Sequence, residues 1–451
     1  MRNVLVALIL TLLSAAAVGA DRPPNIILIF ADDLGWGDVG FNGRKTWETP
    51  NLDRIAREGM LFRRFYTGGV VCTPSRAVLL TGRYTIHNGV TMNNQTLPPQ
   101  EVTIAEALKP AGYATAHFGK WHLSRMNDTQ PTHPLDQGFD EFFGFIGGKH
   151  AWEKFPDRLV EGREMKPSQG YGDTLFTDRT LDFIERKKDQ PFFVYLAYTA
   201  SHGVVEAPQE EIDRLRGRFE EIDPSKPINA TYAAMITQMD AEIGRILDKL
   251  VDLKLDENTM IVFTSDHGAT FERIQQGGTY YHDSNHPLRG QKRTLWEGGI
   301  RVPGAVRWPA RIAPGQVSDE VVHMIDLMPT FCAGAGIEPE AAWKLDGVSL
   351  LDVLTRGGKL ELRTIFFEWR AEGMDQTAAI RGDLKLILTG GNRPETFNVV
   401  LDPSERKTIH AIERETTQRL QRELRAWLET ETEQSRQLRA ERAAKGDDSG
   451  D

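Results

Sequence analysis

Short unbroken apolar runs alternate along the first three hundred residues with stretches whose apolar positions recur at helical spacing. Asn25-Ile26-Ile27-Leu28-Ile29-Phe30 has no polar interruption, the pattern of a strand covered on both faces. Phe192–Tyr198 and Met260–Thr264 repeat it, and Tyr113–Phe118 reads as a further strand. Thr49-Pro50 opens a helix that Gly59 closes, with proline at the first helical position. Thr103 and Glu106 form a capping box for a helix ending near Pro110-Ala111-Gly112. Met235, Ile236, Met239, Ile243, Ile246, Leu247 and Leu250 mark one long amphipathic helix. This βα alternation predicts an α/β fold, a mostly parallel sheet flanked by helices, over 21–357.

After Gly357 the pattern changes. Arg363–Trp369, Thr377–Arg381 and Leu384–Leu388 read as short strands, the last two joined at Gly382-Asp383. They predict a smaller C-terminal antiparallel-sheet subdomain at 358–408. Thr408–Lys445, rich in Glu, Arg, Gln and Leu, predicts a charged helix, and residues 446–451 a disordered tail.

The first 20 residues read as an export signal. Arg2 precedes the apolar Val4–Leu13, and Val18-Gly19-Ala20 offers a small-residue cleavage site. A secreted or periplasmic protein is expected, with no membrane span. Lys+Arg 54 against Asp+Glu 64 leaves a formal net charge of -10, which argues against a nucleic-acid partner. The two cysteines, Cys72 and Cys332, have one disulfide as their plain reading. Cys332, in Phe331-Cys332-Ala333-Gly334, fits a buried apolar filler better.

The polar residues gather where such strands end. Asp32-Asp33 ends the first, Lys120-Trp121-His122 follows the second, His202 the third and Asp266-His267 the fourth. Ligands of open parallel sheets bind outside these carboxyl ends. Three carboxylates from two strands suit a hard divalent cation such as Ca²⁺, with His267 the least typical member of the set. Cys72-Thr73-Pro74-Ser75-Arg76 carries a proline fitted to a first helical turn, which places Cys72 at the amino end, where the helix dipole favours an anion. Arg76 adds a planar cationic fork. On these local features alone Cys72 reads as a reactive thiol of low pKa.

At these residues the chain resembles the formylglycine-dependent sulfatases of the alkaline-phosphatase-like superfamily, including bacterial polysaccharide and N-acetylgalactosamine-sulfate types. Cys72–Arg76 matches their C-x-P-S-R signature at every fixed position, and Gly112–His122 matches G-Y-x-T-x-x-x-G-K-W-H. Asp32-Asp33-Leu34-Gly35-Trp36-Gly37-Asp38 resembles the metal element, Lys292–Gly299 the K-x-T-x-x-E-G-G segment, and Phe397–Glu405 a late L-Y-D-L-x-x-D-P-x-E stretch. The likeness spans Asn25 to Glu405.

The resemblance implies that a maturation enzyme converts Cys72 to formylglycine (3-oxoalanine), whose hydrate is the nucleophile. It implies Ca²⁺ held by Asp32, Asp33, the modified Cys72 and Asp266, with position 267, Asn or His in the family, completing the set. Arg76, Lys120 and Lys292 would then spread charge over the sulfuryl oxygens, His202 would protonate the leaving alcohol, and His122 would assist the diol. The expected activity is hydrolysis of a sulfate ester on a sugar of a sulfated polysaccharide or oligosaccharide. A phosphodiesterase or phosphonate monoester hydrolase of the same superfamily is the nearest alternative, and a non-catalytic sulfated-glycan binding protein a second. His150, Trp152, His282, His286 and Arg289, in predicted loops, are candidates for a sugar subsite.

Overall fold

A computed structural model of the chain describes residues 22–125, 132–272, 276–371, 374–390 and 393–445. The expected export signal and the tail 446–451 lie outside the described residues.

The four predicted strands are the centre of a sheet with ten strands among the described residues. Thr259–Ser265, Asn25–Asp32, Phe192–Ser201, Ala114–Lys120 and Glu141–Phe145 lie side by side, all parallel. Shorter strands extend both edges, with antiparallel pairings at Gly304–Arg307 on one side and Arg158–Glu161 on the other. The first strand has both neighbours hydrogen-bonded and every residue buried, which explains its lack of polar alternation. Its even residues Ile26, Leu28 and Phe30 face one core, and its odd residues Ile27, Ile29 and Ala31 face another. The long helix Ile228–Asp252 covers the second core with all seven residues of its predicted apolar stripe. The helix Cys72–Thr81 lies over the first.

The C-terminal part forms a separate antiparallel sheet with four strands among the described residues, Thr364–Ala371, Met374–Arg381, Leu384–Thr389 and Arg393–Asn398 in sequence order. The sequence pattern had given the first three. On one face Ile365, Phe367, Ile380 and Ile387 pack against Val70, Val71 and Leu295 of the large unit. The other carries Leu420, Leu424 and Trp427 of the helix Arg414–Glu429. The single charged helix expected from Thr408 to Lys445 is two, Arg414–Glu429 and Glu433–Lys445. The break falls where the Thr432 amide donates to the Ile86 carbonyl at 3.1 Å, a bond continuous helix would forbid.

Candidate active site

The carboxyl ends of the central strands converge as the sequence indicates. Asp32 ends the first strand and Asp33 follows it in the left-handed region, φ 60°. Such a backbone costs on the order of 1–3 kcal/mol for a non-glycine residue and turns the side chain sharply away from the strand. His122 takes the same conformation, φ 56°, just past Lys120. Gly148 faces the His122 ring so closely that a Cβ there would stand 2.3 Å from Nε2. Only glycine leaves room for that imidazole.

Cys72 is the first residue of its helix, which is buried along its whole length. The Thr73 amide is capped by the Asn93 side chain at 3.0 Å, and Gly82 closes the helix at φ 65°. Around the Cys72 Sγ stand Lys120 Nζ at 3.4 Å, Asp32 Oδ1 and His267 Nε2 both at 3.5 Å, and Lys292 Nζ at 3.9 Å. Lys120 pairs with Asp32 at 2.8 Å and Lys292 with Asp33 at 3.1 Å. Arg76 runs beneath, donating to the Lys120 carbonyl at 2.8 Å and to Asp32 Oδ1 at 3.1 Å, with Asp266 Oδ2 at 3.5 Å. Asp266 is fixed by the Asp33 amide on Oδ1 at 2.9 Å, while its carbonyl accepts from Ser75 and Thr67.

The low-pKa thiol is not what the fold makes. Cys72 is fully buried, and burial pushes its thiol well above the ordinary value against the pull of Lys120 and Lys292. Both cysteines are free, and Cys332 sits in the apolar core as expected.

Asp33, Cys72, Asp266 and His267 present four ligand atoms within 4.8 Å of one another, all buried. Asp32 stands beside this group, its carboxylate engaged by Lys120 and Arg76. The electrostatics fit a cation here. Burial, with the neighbouring Asp32 and Asp33 charges, drives the Asp266 carboxyl well up, a strain that a divalent ion relieves. Burial also brings His267 down to about 3, leaving a neutral imidazole able to donate a lone pair.

His202 is buried beside Asp33, with Nδ1 on the Gly203 carbonyl at 2.5 Å and Nε2 3.9 Å from Asp33 Oδ2. Burial lowers its pKa to about 4. Of the sugar-subsite candidates, Trp152 lies beside the His202 ring, centroids 6.2 Å apart. His150 lines a cavity of about 200 Å³ together with His122, Asn94, Gln95, Ser124 and Arg125. The other three sit differently. His282 is buried in a nest of Trp47, Phe219, Tyr232 and Tyr281, its Nε2 on the Asn229 carbonyl at 3.0 Å, so its ring is spent on packing. Arg289 stacks on Trp296 at 3.5 Å and donates to the Glu405 carbonyl. His286 is exposed and pairs with Asp283 at 3.1 Å.

Two buried charges beside the site have no sequence motif. Lys154 donates to the Thr199 carbonyl at 2.8 Å, and Asp173 accepts from the Thr199 and Ala200 amides.

Comparison with known proteins converges on one family. Residues 24–337 match the Sulfatase family, and residues 289–434 match the C-terminal domain of N-sulphoglucosamine sulphohydrolase. The chain is 37% identical to N-acetylgalactosamine-6-sulfatase of Canis lupus familiaris over 432 residues, covering 86% of this chain and 75% of that protein. It is 32% identical to steryl-sulfatase of Mus musculus, over 75% of this chain and 66% of that protein. The crystal structure of Ps i-CgsB in complex with k-i-k-neocarrahexaose superposes with a TM-score of 0.84 at 29% identity, covering 92% of this chain and 94% of that one. The phosphonate monoester hydrolase of Agrobacterium radiobacter shares the fold at a TM-score of 0.64 and 20% identity, over 93% of this chain and 96% of that one.

Proposed function

The chain belongs to the sulfatase family, a sulfuric ester hydrolase, and we propose that it frees sulfate from a sulfated sugar within an oligo- or polysaccharide. The observation that carries this is the setting of Cys72. Its side chain lies at a buried helix N-terminus, between two lysine ammonium groups and against the Asp33–Asp266–His267 cluster. In this reading a maturation enzyme converts Cys72 to formylglycine in an exported chain. Support for a sugar substrate comes from the N-acetylgalactosamine-6-sulfatase relatives and from Ps i-CgsB, whose structure holds k-i-k-neocarrahexaose.

Asp33, Asp266 and His267 would hold Ca²⁺ together with the modified residue 72, and Asp32 would complete the carboxylate set from its place beside them. The bound cation would polarise a sulfate oxygen, and the hydrated aldehyde would supply the attacking hydroxyl. The protein's own groups do the rest. Lys120, Lys292 and Arg76 present fixed positive charge in a dry site, where it acts most strongly on charge developing at sulfuryl oxygens. Their pairing with Asp32 and Asp33 pins the ammonium groups in position before substrate arrives. His122, its ring close under Gly148, is in this reading the group that assists the residue 72 diol. His202 carries its ring proton on Nδ1 toward Gly203. That leaves Nε2 as the ring atom which, once protonated, would give its proton to the leaving oxygen.

The intact cluster and cations speak against a non-catalytic glycan binder, and the phosphonate hydrolase shares the fold alone. Matured protein incubated with sulfated saccharides, nitrophenyl sulfate and matched phosphate esters gives the test. Sulfate release from the saccharides is expected, and preferential phosphate or phosphonate release would replace this reading.

A further inference from the structure

Lys154 is a buried lysine whose ammonium has no carboxylate at ion-pair distance among the described residues. Its side chain is 1% exposed, and its ammonium reaches one backbone oxygen, Thr199 O, at 2.8 Å. Burial lowers its pKa to about 8 against the field of Asp173, Asp32 and Asp33. An apolar side chain of similar volume would fill such a position at less cost. Something specific must therefore depend on the contact.

The contact falls three residues before His202. The Thr199 carbonyl that receives the Lys154 ammonium also receives the His202 amide, at 3.0 Å. Asp173, in the first turn of the helix Gly172–Lys187, holds the same peptide from the other side. Its Oδ1 accepts from the Thr199 amide at 2.8 Å and the Thr199 hydroxyl at 3.0 Å, and its Oδ2 from the Ala200 amide at 3.0 Å. The Gly172 amide in turn donates to the Lys154 carbonyl at 2.8 Å, joining the two clamps. Two residues before Lys154, Trp152 lays its ring beside that of His202. The end of the strand is thus gripped on donor and acceptor sides by opposite charges reaching in from 45 and 26 residues away.

We propose that Lys154 and Asp173 are positioning residues for His202: together they clamp the Thr199–Ala200 backbone and so aim the imidazole at the leaving-group oxygen. The proposal rests on the reading of His202 as the group that serves that oxygen. Neither residue touches the reacting atoms. Releasing the clamp lets the His202 turn relax, at the expense of proton delivery rather than of sulfate binding.

The test is a double-mutant cycle on matured full-length protein. Lys154→Met is expected to lower kcat about 10–100-fold on a sugar sulfate with KM little changed, yet less than about threefold on nitrophenyl sulfate, whose leaving group needs no proton. In a His202→Ala background the same substitution should cost almost nothing more, since the group it aims is gone. Asp173→Asn should repeat this pattern, and thermal melting identifies any variant that fails to fold, leaving the other to decide. Equal losses on both substrates, or losses that add in full to those of His202→Ala, overturn the proposal. If His202→Ala alone shows no difference between leaving groups, the general-acid reading fails instead, and the additivity of the pair still decides whether Lys154 acts through His202.

Discussion

Lys385, in the small C-terminal sheet, places its Nζ 3.1 Å from Oε1 of Glu297 in the large unit, and neither side chain has any exposed surface. The same ammonium meets Glu405 at 2.8 Å, and Glu405 Oε2 accepts from the Glu297 amide at 2.7 Å. Glu297 opens the Glu-Gly-Gly turn whose Gly299 carbonyl receives the Gly268 amide, next to His267. The small sheet therefore reaches the edge of the site through one buried cation. Lys385→Met takes the ammonium from Glu405 and leaves Glu297 with only Tyr66 and Arg301, and should destabilise the fold by about 3–5 kcal/mol. Adding Glu405→Gln should restore part of the loss, as read by urea denaturation.

Chelation should abolish sulfate release, and added Ca²⁺ should restore it. Asp266→Ala should remove both activity and the stabilisation that Ca²⁺ gives to the melting temperature. Full turnover after exhaustive chelation would contradict the metal assignment.

Arg76→Lys keeps the charge and loses the fork. The guanidinium bonds to the Lys120 carbonyl and to Asp32 at once, a geometry an ammonium cannot reproduce. A fall in kcat of roughly 10²-fold is expected, with an unchanged circular dichroism spectrum. A change confined to KM would make Arg76 a binding group only.

His117 lies in the core, stacked on Tyr195 at 4.6 Å with Nδ1 on the Tyr195 carbonyl. Burial lowers its pKa to about 3 from an unfolded value near 6.5. Its folded form binds the proton less readily, so its stability is present above pH 6.5 and is lost as pH falls toward 3. Melting temperature should decline across that range, and His117→Phe should make the decline shallower even though it lowers the starting value. An unaltered slope would place the acid sensitivity elsewhere.

Peptide mass spectrometry of protein co-expressed with a maturation enzyme should find the aldehyde or its hydrate at position 72. Full activity with a bare thiol there would sink the proposed nucleophile.

Much of the architecture was legible because it depends on periodicity. A strand buried on both faces must be apolar throughout, so Ile26–Phe30 and Phe192–Tyr198 declare themselves, and the polar residues that end them mark the site. Arg393–Asn398 was not legible: Arg-Pro-Glu-Thr-Phe-Asn lacks an apolar run, and its proline is tolerated because the strand lies at the sheet edge. The thiol reading failed because a helix dipole and Arg76 are local, whereas the burial that outweighs them comes from the whole fold. His282 looked like a loop histidine because the aromatic rings enclosing it, from Trp47, Phe219 and Tyr232, are distant in sequence. Lys154 and Asp173 gave no signal for the same reason.

The pairing order of the central sheet also sets a clock. Ile26 hydrogen-bonds its neighbours in register with Phe193 on one side and Met260 on the other. The first strand therefore has no native partner until synthesis has passed those residues. The helix bearing Cys72 packs onto that same strand's core and cannot be sealed earlier. At about 5–20 residues per second, the segment around Cys72 emerges and waits on the order of tens of seconds before the strands that will bury it exist. A maturation enzyme of the kind proposed, acting on the extended Cys-Thr-Pro-Ser-Arg peptide, would have that interval to act. Once Thr259–Ser265 docks, the residue 72 sulfur has no exposed surface, so on the proposed reading a chain that folds unconverted would no longer offer it to a maturation enzyme.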